Sequence, residues 1–249
     1  MFDEDRHFRH EFKYVEPEVR LIAAEKRLAA FMKKDGHVGE KGFYNIRSLY
    51  FDDYDDAFLN DNLSGVDLRE KWRIRAYDRS SSFISLERKS RKSDMISKDS
   101  CAITPEQFDL ILKRDIEISD SNPPLLNVFI TAMKTRLLHP AVIVEYDRTP
   151  FAAKEGNTRV TFDRNIRSSS ELDALLADRP LVSRPVLLKG QNLLEVKHDA
   201  FLPNHIAHAL ETGRMKRETF SKYFLARRFN YTGIASSLRY AGTLWHTGS

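Results

Sequence analysis

The chain has a single cysteine, Cys101, among 249 residues. An internal disulfide framework and cysteine-based zinc sites are therefore excluded. No apolar run approaches the roughly 18 residues of a membrane-spanning helix, and mean hydropathy is −0.48. The opening residues, Met1-Phe2-Asp3-Glu4-Asp5-Arg6, are acidic and lack the apolar core of a secretory signal. The expected location is cytoplasmic, or peripheral to a membrane complex. Glycine and proline number only 10 and 9. With no linker, repeat or low-complexity tract, the expectation is one domain over residues 1–249, with a core of 6–230 and a tail of 231–249. Excess charge is also scarce: 40 Lys+Arg against 36 Asp+Glu leaves +4, with a pI near 9.0. A net value that small says little about partners, so the placement of the cations carries the information.

Six helices are expected. Pro17 opens an amphipathic stretch to about Lys34, offering Val19, Ile22, Leu28 and Phe31 or Met32 for one face. Thr104-Pro105-Glu106-Gln107 reads as a capping box ahead of Phe108, Ile111 and Leu112. Asn122-Pro123 starts another helix, with Leu125, Leu126, Phe129, Met133 and Leu137 apolar. Shorter helices are expected at Ser170–Ala177, Pro203–Glu211 and Phe220 to about Phe229.

Elsewhere the sequence alternates with period two, the signature of strands with two unlike faces. Six segments each carry one apolar and one ionic face. Glu11 and Lys13 oppose Phe12 and Tyr14; Arg69, Lys71, Arg73 and Arg75 oppose Trp72 and Ile74; Glu87 and Lys89 oppose Ile84 and Leu86. Further on, Glu145 and Asp147 oppose Val144 and Tyr146; Arg159, Thr161 and Asp163 oppose Val160 and Phe162; Glu195 and Lys197 oppose Leu194 and Val196. An open sheet wet on one face gives the same alternation. The polar faces are nonetheless uniformly charged, with few Thr, Ser or Gln. A barrel with its apolar side out against helices and its ionic side lining a lumen is the competing arrangement. Cations crowded into one lumen repel one another and lose hydration unless acids, water or an anion compensate, and a polyanion would do so. On such strands Arg148 falls on the opposite parity from Glu145, so a shared lumen would require a bulge or a strand end.

The charged strands occur in a recognisable order. Arg9-x-Glu11-x-Lys13-Tyr14, Leu49-Tyr50-Phe51-Asp52, Arg69-x-Lys71-x-Arg73-Ile74-Arg75-x-Tyr77 and Leu86-Glu87-Arg88-Lys89 are followed by Tyr146-Asp147-Arg148-Thr149-x-Phe151, Leu194-Glu195-Val196-Lys197 and Phe220-Ser221-Lys222-Tyr223. Together these resemble the VTC domain, the catalytic domain of vacuolar-transporter-chaperone polyphosphate polymerases, within the triphosphate tunnel metalloenzyme superfamily. The resemblance covers residues 6–230. It implies an α+β fold: an antiparallel β-barrel tunnel with a charged lumen, flanked by helices. It also implies transfer of the ATP γ-phosphate to a growing polyphosphate chain. By motif, Lys13, Arg73, Arg75, Lys89, Arg148, Arg159 and Lys197 would act on the phosphates. Lys71, Lys98, Ser221, Lys222 and Glu11 would complete the substrate site, and Glu195 would hold Mn²⁺ or Mg²⁺. Two departures stand out. The superfamily's first strand often reads Glu-x-Glu-x-Lys, where Arg9 here makes the first position basic and favours the polymerase branch over a triphosphatase. A lysine two residues before the serine in eukaryotic members is Thr219 here, with Lys216 or Arg217 as candidate substitutes. No phosphate-sensing SPX domain or membrane helix accompanies these motifs, so coupling to transport would require a membrane-protein partner.

Phosphoryl transfer needs alignment and positive charge more than covalent work by the protein. Arginine forks and lysine point charges supply the charge. With a terminal phosphate as acceptor, already ionised, no dedicated general base is needed. Spacing alone leaves alternatives: Glu195 also reads as a salt-bridge partner of Lys197, and Ser221 as a helix N-cap. The Gly36–Gly42 stretch lacks Walker spacing and reads as a turn. His205 and His208, like His7 and His10, are pairs without a third ligand. Cys101 reads as a small core residue, and Ser80–Ser82 and Ser90–Lys98 as hairpin loops, the latter a basic rim. Besides a polymerase, the tunnel could serve a hydrolase of triphosphate or polyphosphate, or a non-catalytic polyphosphate-binding module. Nucleic acid is not expected as a partner, because no basic surface is interleaved with aromatics.

Overall fold

The computed structural model describes residues 9–64, 69–92 and 95–230. In chain order the elements are β1 (His10–Pro17), α1 (Glu18–Leu28), β2 (Lys33–Lys34), β3 (Tyr44–Asp52), α2 (Ala57–Ser64), β4 (Arg69–Tyr77), β5 (Ser80–Lys92) and β6 (Met95–Ile103). Then follow α3 (Pro105–Lys113), α4 (Pro124–Thr135), β7 (His139–Ala153), β8 (Thr158–Ser169), β9 (Arg184–Pro185), β10 (Gln191–His198), α5 (Asn204–Leu210) and α6 (Lys222–Asn230). The fold is α+β, with one antiparallel sheet running β1-β10-β8-β7-β3-β4-β5-β6. Among the described residues the end strands β1 and β6 do not pair, so the ladder is not closed. The sheet curls instead: Lys89 on β5 reaches Glu11 on β1 at 3.0 Å, across the ladder's open side.

Alternation drives this shape. The apolar faces of β1, β7, β8 and β10, including Phe151, Phe162, Leu194 and Val196, bury against Leu21, Ala24 and Leu28 of α1 and Ile206 of α5. Those of β3, β4 and β5, including Phe51, Trp72 and Leu86, bury against Phe108 of α3 and Leu126 and Phe129 of α4. Removing such surface from water stabilises the fold by about 25 cal/mol per Å². The opposite faces, ionic on β1, β4, β5, β8 and β10, look inward. Arg75 is 6% exposed, which excludes a flat sheet with that residue in bulk solvent.

Several local expectations need correction. The helix opened by Pro17 stops at Leu28, because Lys33 and Lys34 pair with Phe151 and Ala152 of β7. Its buried face is Leu21, Ala24 and Leu28, while Val19 and Ile22 are exposed. Ser170–Ala177 forms turns, since the Arg47 guanidinium takes the carbonyls of Ala174, Ala177 and Arg179. The helix after Asn122 ends at Thr135, leaving Leu137 exposed with a φ of 53°. Ser80–Ser82 and Ser90–Lys92 are strand rather than loop; the first hairpin turns at Asp78 and Arg79, both at positive φ, and Ser93–Asp94 lie outside the described residues. The last helix begins at Lys222, not Phe220. His7 and the tail 231–249 lie outside the described residues. The Thr104 capping box forms as expected, with Thr104 Oγ1 accepting from Gln107 N and Gln107 Oε1 from Thr104 N. Such a cap contributes about 1 kcal/mol. Among the described residues no helix is long and apolar enough to cross a membrane.

Candidate functional site

The curled sheet encloses a cavity of about 1200 Å³. All thirteen site residues expected from the sequence line it: Glu11, Lys13, Lys71, Arg73, Arg75, Lys89, Lys98, Arg148, Arg159, Glu195, Lys197, Ser221 and Lys222. Register explains how they meet. Arg69, Lys71, Arg73 and Arg75 alternate along β4; Lys89 stands opposite Lys71 on β5, and Lys98 opposite Lys89 on β6. On the other side Lys13 faces Glu195, Glu11 faces Lys197, and Lys197 faces Arg159.

Strand β7 departs from the expected parity. Tyr146 and Arg148 line the cavity, whereas Glu145 and Asp147 point outward. Glu145 accepts from the fully buried Arg47 at 3.1 Å, and Asp147 from Asn45 and Asn165. Arg148 thus reaches the lumen with no bulge in β7 between Glu145 and itself. Opposite this stretch the irregularity lies in β8, where Glu145 pairs with Arg167 and Asp147 with Arg164, leaving one extra residue beside Asn165, itself at a φ of 54°.

Buried acids behind the lining organise its cations, and sequence parity had placed two of them on ionic faces without giving them this role. Glu87 is 2% exposed and holds Arg73 at 2.5 Å and Lys98 at 2.8 Å, with Arg75 at 3.7 Å. Asp163 is fully buried; it takes Arg148 bidentately at 2.6 and 2.7 Å and Lys222 at 2.6 Å. Burial pushes both carboxyls up, but these cations outweigh it and hold both below the usual carboxylate range. Two phenols stand in the family motifs without a site role expected for them. Tyr50 Oη accepts from Arg73 at 3.0 Å and Tyr146 Oη from Arg75 at 3.4 Å, so each arginine is aimed before any ligand arrives.

The last helix completes the wall. Lys71 Nζ donates to Ser221 Oγ at 3.0 Å and Lys13 Nζ to the Phe220 carbonyl at 3.1 Å. Ser221 Oγ also accepts from Phe224 N, so it caps α6 while facing the cavity. Behind it, Tyr223 Oη donates to buried Asp52, and Arg227 to Asp56, which pins α6 to β3 and the start of α2. Thr219 lines the cavity, and so does Arg217, whose guanidinium lies 4.2 Å from the Phe12 ring centroid.

Glu11 and Glu195 are the lumen's paired acids. Lys197 is 2.8 Å and Lys13 4.0 Å from Glu195, while Lys13 at 3.1 Å and Lys89 at 3.0 Å hold Glu11. Despite burial and mutual repulsion, Glu11 is lowered to about 2, and Lys197, Lys13, Lys222 and Arg148 hold Glu195 well below its usual range. Among the described residues no cluster of three or more His, Cys, Asp or Glu is present. Two ionised carboxylates suit a hard cation that takes its other ligands from phosphate oxygens and water, so the donor set fits Mg²⁺ or Mn²⁺ in that form and no protein-made cage. The lysines show the strain of crowding. Burial, then Lys89 and Lys13, lowers Lys71 to about 7; burial lowers Lys89 to about 8 in spite of Glu11.

Elsewhere, His205 meets Phe31 edge to face, and His10 stacks on His198. Cys101 is half-buried against the core with its thiol pushed up by burial.

A family model described as the VTC domain matches residues 8–231. No curated protein matches the chain. Among solved structures, a provisionally assigned adenylate cyclase of Bacillus halodurans is 12% identical with a TM-score of 0.48, covering 86% of this chain and 95% of its own. A Pyrococcus horikoshii OT3 protein is 12% identical with a TM-score of 0.45, covering 88% and 97%. A conserved protein of Pyrococcus furiosus is 8% identical with a TM-score of 0.41, covering 81% and 85%.

Proposed function

The chain belongs to the VTC domain family, and from that premise we propose that it is a metal-dependent polyphosphate polymerase, moving the γ-phosphate of ATP onto a polyphosphate chain held in the cavity. One observation carries the reading: among the described residues, thirteen lysines and arginines line a single cavity together with three carboxylates. Such a lumen is compensated best by a ligand with one negative charge per short repeat, which describes a polyphosphate. Successive lumen residues on a strand stand about 6.5–7 Å apart, so Arg75, Arg73 and Lys71 are spaced to contact successive phosphates of one bound ligand.

Arg73 and Arg75, already oriented by Glu87, Tyr50 and Tyr146, would grip phosphate oxygens in forked pairs. Arg148 and Lys222, locked on Asp163, would meet the charge that develops on the transferred group. Lys13, Lys89 and Lys197 would leave their acids for phosphate as substrate enters. Lys98 and Arg159, the more exposed cations, would guide the chain. Glu195, with Glu11 beside it, would hold Mg²⁺ or Mn²⁺, which when bound would supply positive charge to offset that of the phosphates. Coupling to transport would need a membrane-protein partner.

The test is incubation with ATP and Mn²⁺, reading polyphosphate by dye shift beside orthophosphate release. The expected result is polymer in the wild type and a loss of about 10²-fold or more in Arg75→Ala and Lys89→Ala. Glu195→Gln should weaken metal dependence more than ATP binding. Orthophosphate without polymer would replace the polymerase with a hydrolase. Tight polyphosphate binding without turnover would replace it with a binding module.

A further inference from the structure

One stretch of the cavity wall is aromatic, not cationic. Tyr44 at the start of β3 and Tyr77 at the end of β4 both line the cavity, with ring centroids 5.7 Å apart in an edge-to-face arrangement. Ile46 pairs with Tyr77 across the ladder and also lines the cavity. The aromatic surface continues outward, since the Tyr77 ring is 6.1 Å from that of Phe83, which is 52% exposed. Arginines adjoin this patch. Arg75 precedes Tyr77 by two residues on the same face, Arg148 stands opposite Tyr44, and Arg159 donates to Tyr44 Oη at 3.2 Å.

We propose that this wall seats the base of a nucleoside triphosphate, with Tyr77 as the stacking ring and Phe83 extending the platform at the surface. The proposal rests on the reading of the cavity as a triphosphate site and adds where the nucleoside end lies. Every base offers a π-face, and an aromatic platform binds it with little sequence preference. Tyr77 and Arg75 stand one two-residue strand step, about 6.5–7 Å, apart, so a base on Tyr77 leaves its phosphates within reach of Arg75. The triphosphate then runs along β4 toward Arg73 and Lys71. The growing chain is thereby assigned to the opposite part of the cavity, beside Lys71, Lys89 and Lys98. An exposed Phe83 and a tyrosine cluster at a cationic lumen are thus accounted for by one ligand with an aromatic end and an anionic end.

The experiment compares Mg²⁺-ATP with inorganic tripolyphosphate, which has the anionic end alone, by calorimetric titration into wild type, Tyr77→Ala, Tyr77→Phe and Phe83→Ala. Tyr77→Ala should weaken ATP by about 10-fold and leave tripolyphosphate within about twofold. Tyr77→Phe, which keeps the ring, should retain ATP affinity, and Phe83→Ala should lose a smaller factor. Circular dichroism checks folding, and Phe83, half exposed, keeps the test alive should Tyr77→Ala not fold. Unchanged ATP affinity in both alanine variants, or equal losses for both ligands in folded protein, would overturn the base seat alone. A wild-type protein that binds neither ligand would overturn the triphosphate reading beneath it.

Discussion

Lys71 shows most plainly how the lumen is poised. Its ordinary value of 10.5 falls to about 7, through burial first and neighbouring cations second. Between those values the unfolded chain holds a proton that the folded one has released, so stability rises with pH from about 7 to 10 and the penalty is fully present below 7. An incoming polyanion reverses the shift and draws a proton back. Tripolyphosphate titrations at pH 8, in two buffers of different ionisation heat, should therefore report proton uptake, diminished in Lys71→Met. The same variant should raise the melting temperature of the empty protein while weakening the ligand, a trade-off expected of a site strained for function. Proton release on binding, or none, would contradict this account. None of this strain is visible in the sequence, where Lys71 is one of four alternating cations. Its environment is made by burial, by Lys89, its partner 18 residues later on the neighbouring strand, and by Lys13, 58 residues before it and brought near only by the curl.

At the scale of elements, α6 is held as part of the site. Lys222 and Arg148 share Asp163, and Tyr223 and Arg227 tie the helix to Asp52 and Asp56. Asp163→Asn leaves two buried cations short of a countercharge and should cost about 3–5 kcal/mol, read as a shifted urea midpoint. Polyphosphate should restore part of the loss, since it supplies the missing anion. An unshifted midpoint would contradict the anchoring role. Much of this level was legible beforehand. Period-two alternation located six strands of the ladder but not β3 or β6, and Thr104 and Gln107 marked a helix start because a capping box is local chemistry. What escaped depended on distant partners. Ser170–Ala177 has a helical pattern, but Arg47 from β3 captures its carbonyls. Glu145 looks like a lumen residue by polarity, yet it pairs outward with that same arginine, and the aromatic Tyr146 takes the lumen side.

For the molecule as a whole, a net charge of only +4 conceals a strong separation of charge. Cations gather inside one curled sheet, buried acids aim them, and helices cover the apolar exterior. The thirteen candidate residues that line the cavity could be named from the family order of the motifs, and most of them also from shared strand faces; Arg148 lay on the opposite parity, and Ser221 and Lys222 stand at a helix start. The missed part, Tyr44, Tyr50, Tyr77 and Tyr146 in the lining and Glu87 and Asp163 behind it, has roles set by the packing of separate strands. The central claim is that this interior receives a phosphate chain. The most direct test is calorimetric titration of short-chain polyphosphate into wild type, Arg75→Met and Lys89→Ala at low and high salt. The account predicts saturable binding that weakens with salt and falls by about 10-fold or more in each variant. Absence of binding in the wild type, or equal affinity in all three proteins, would contradict it.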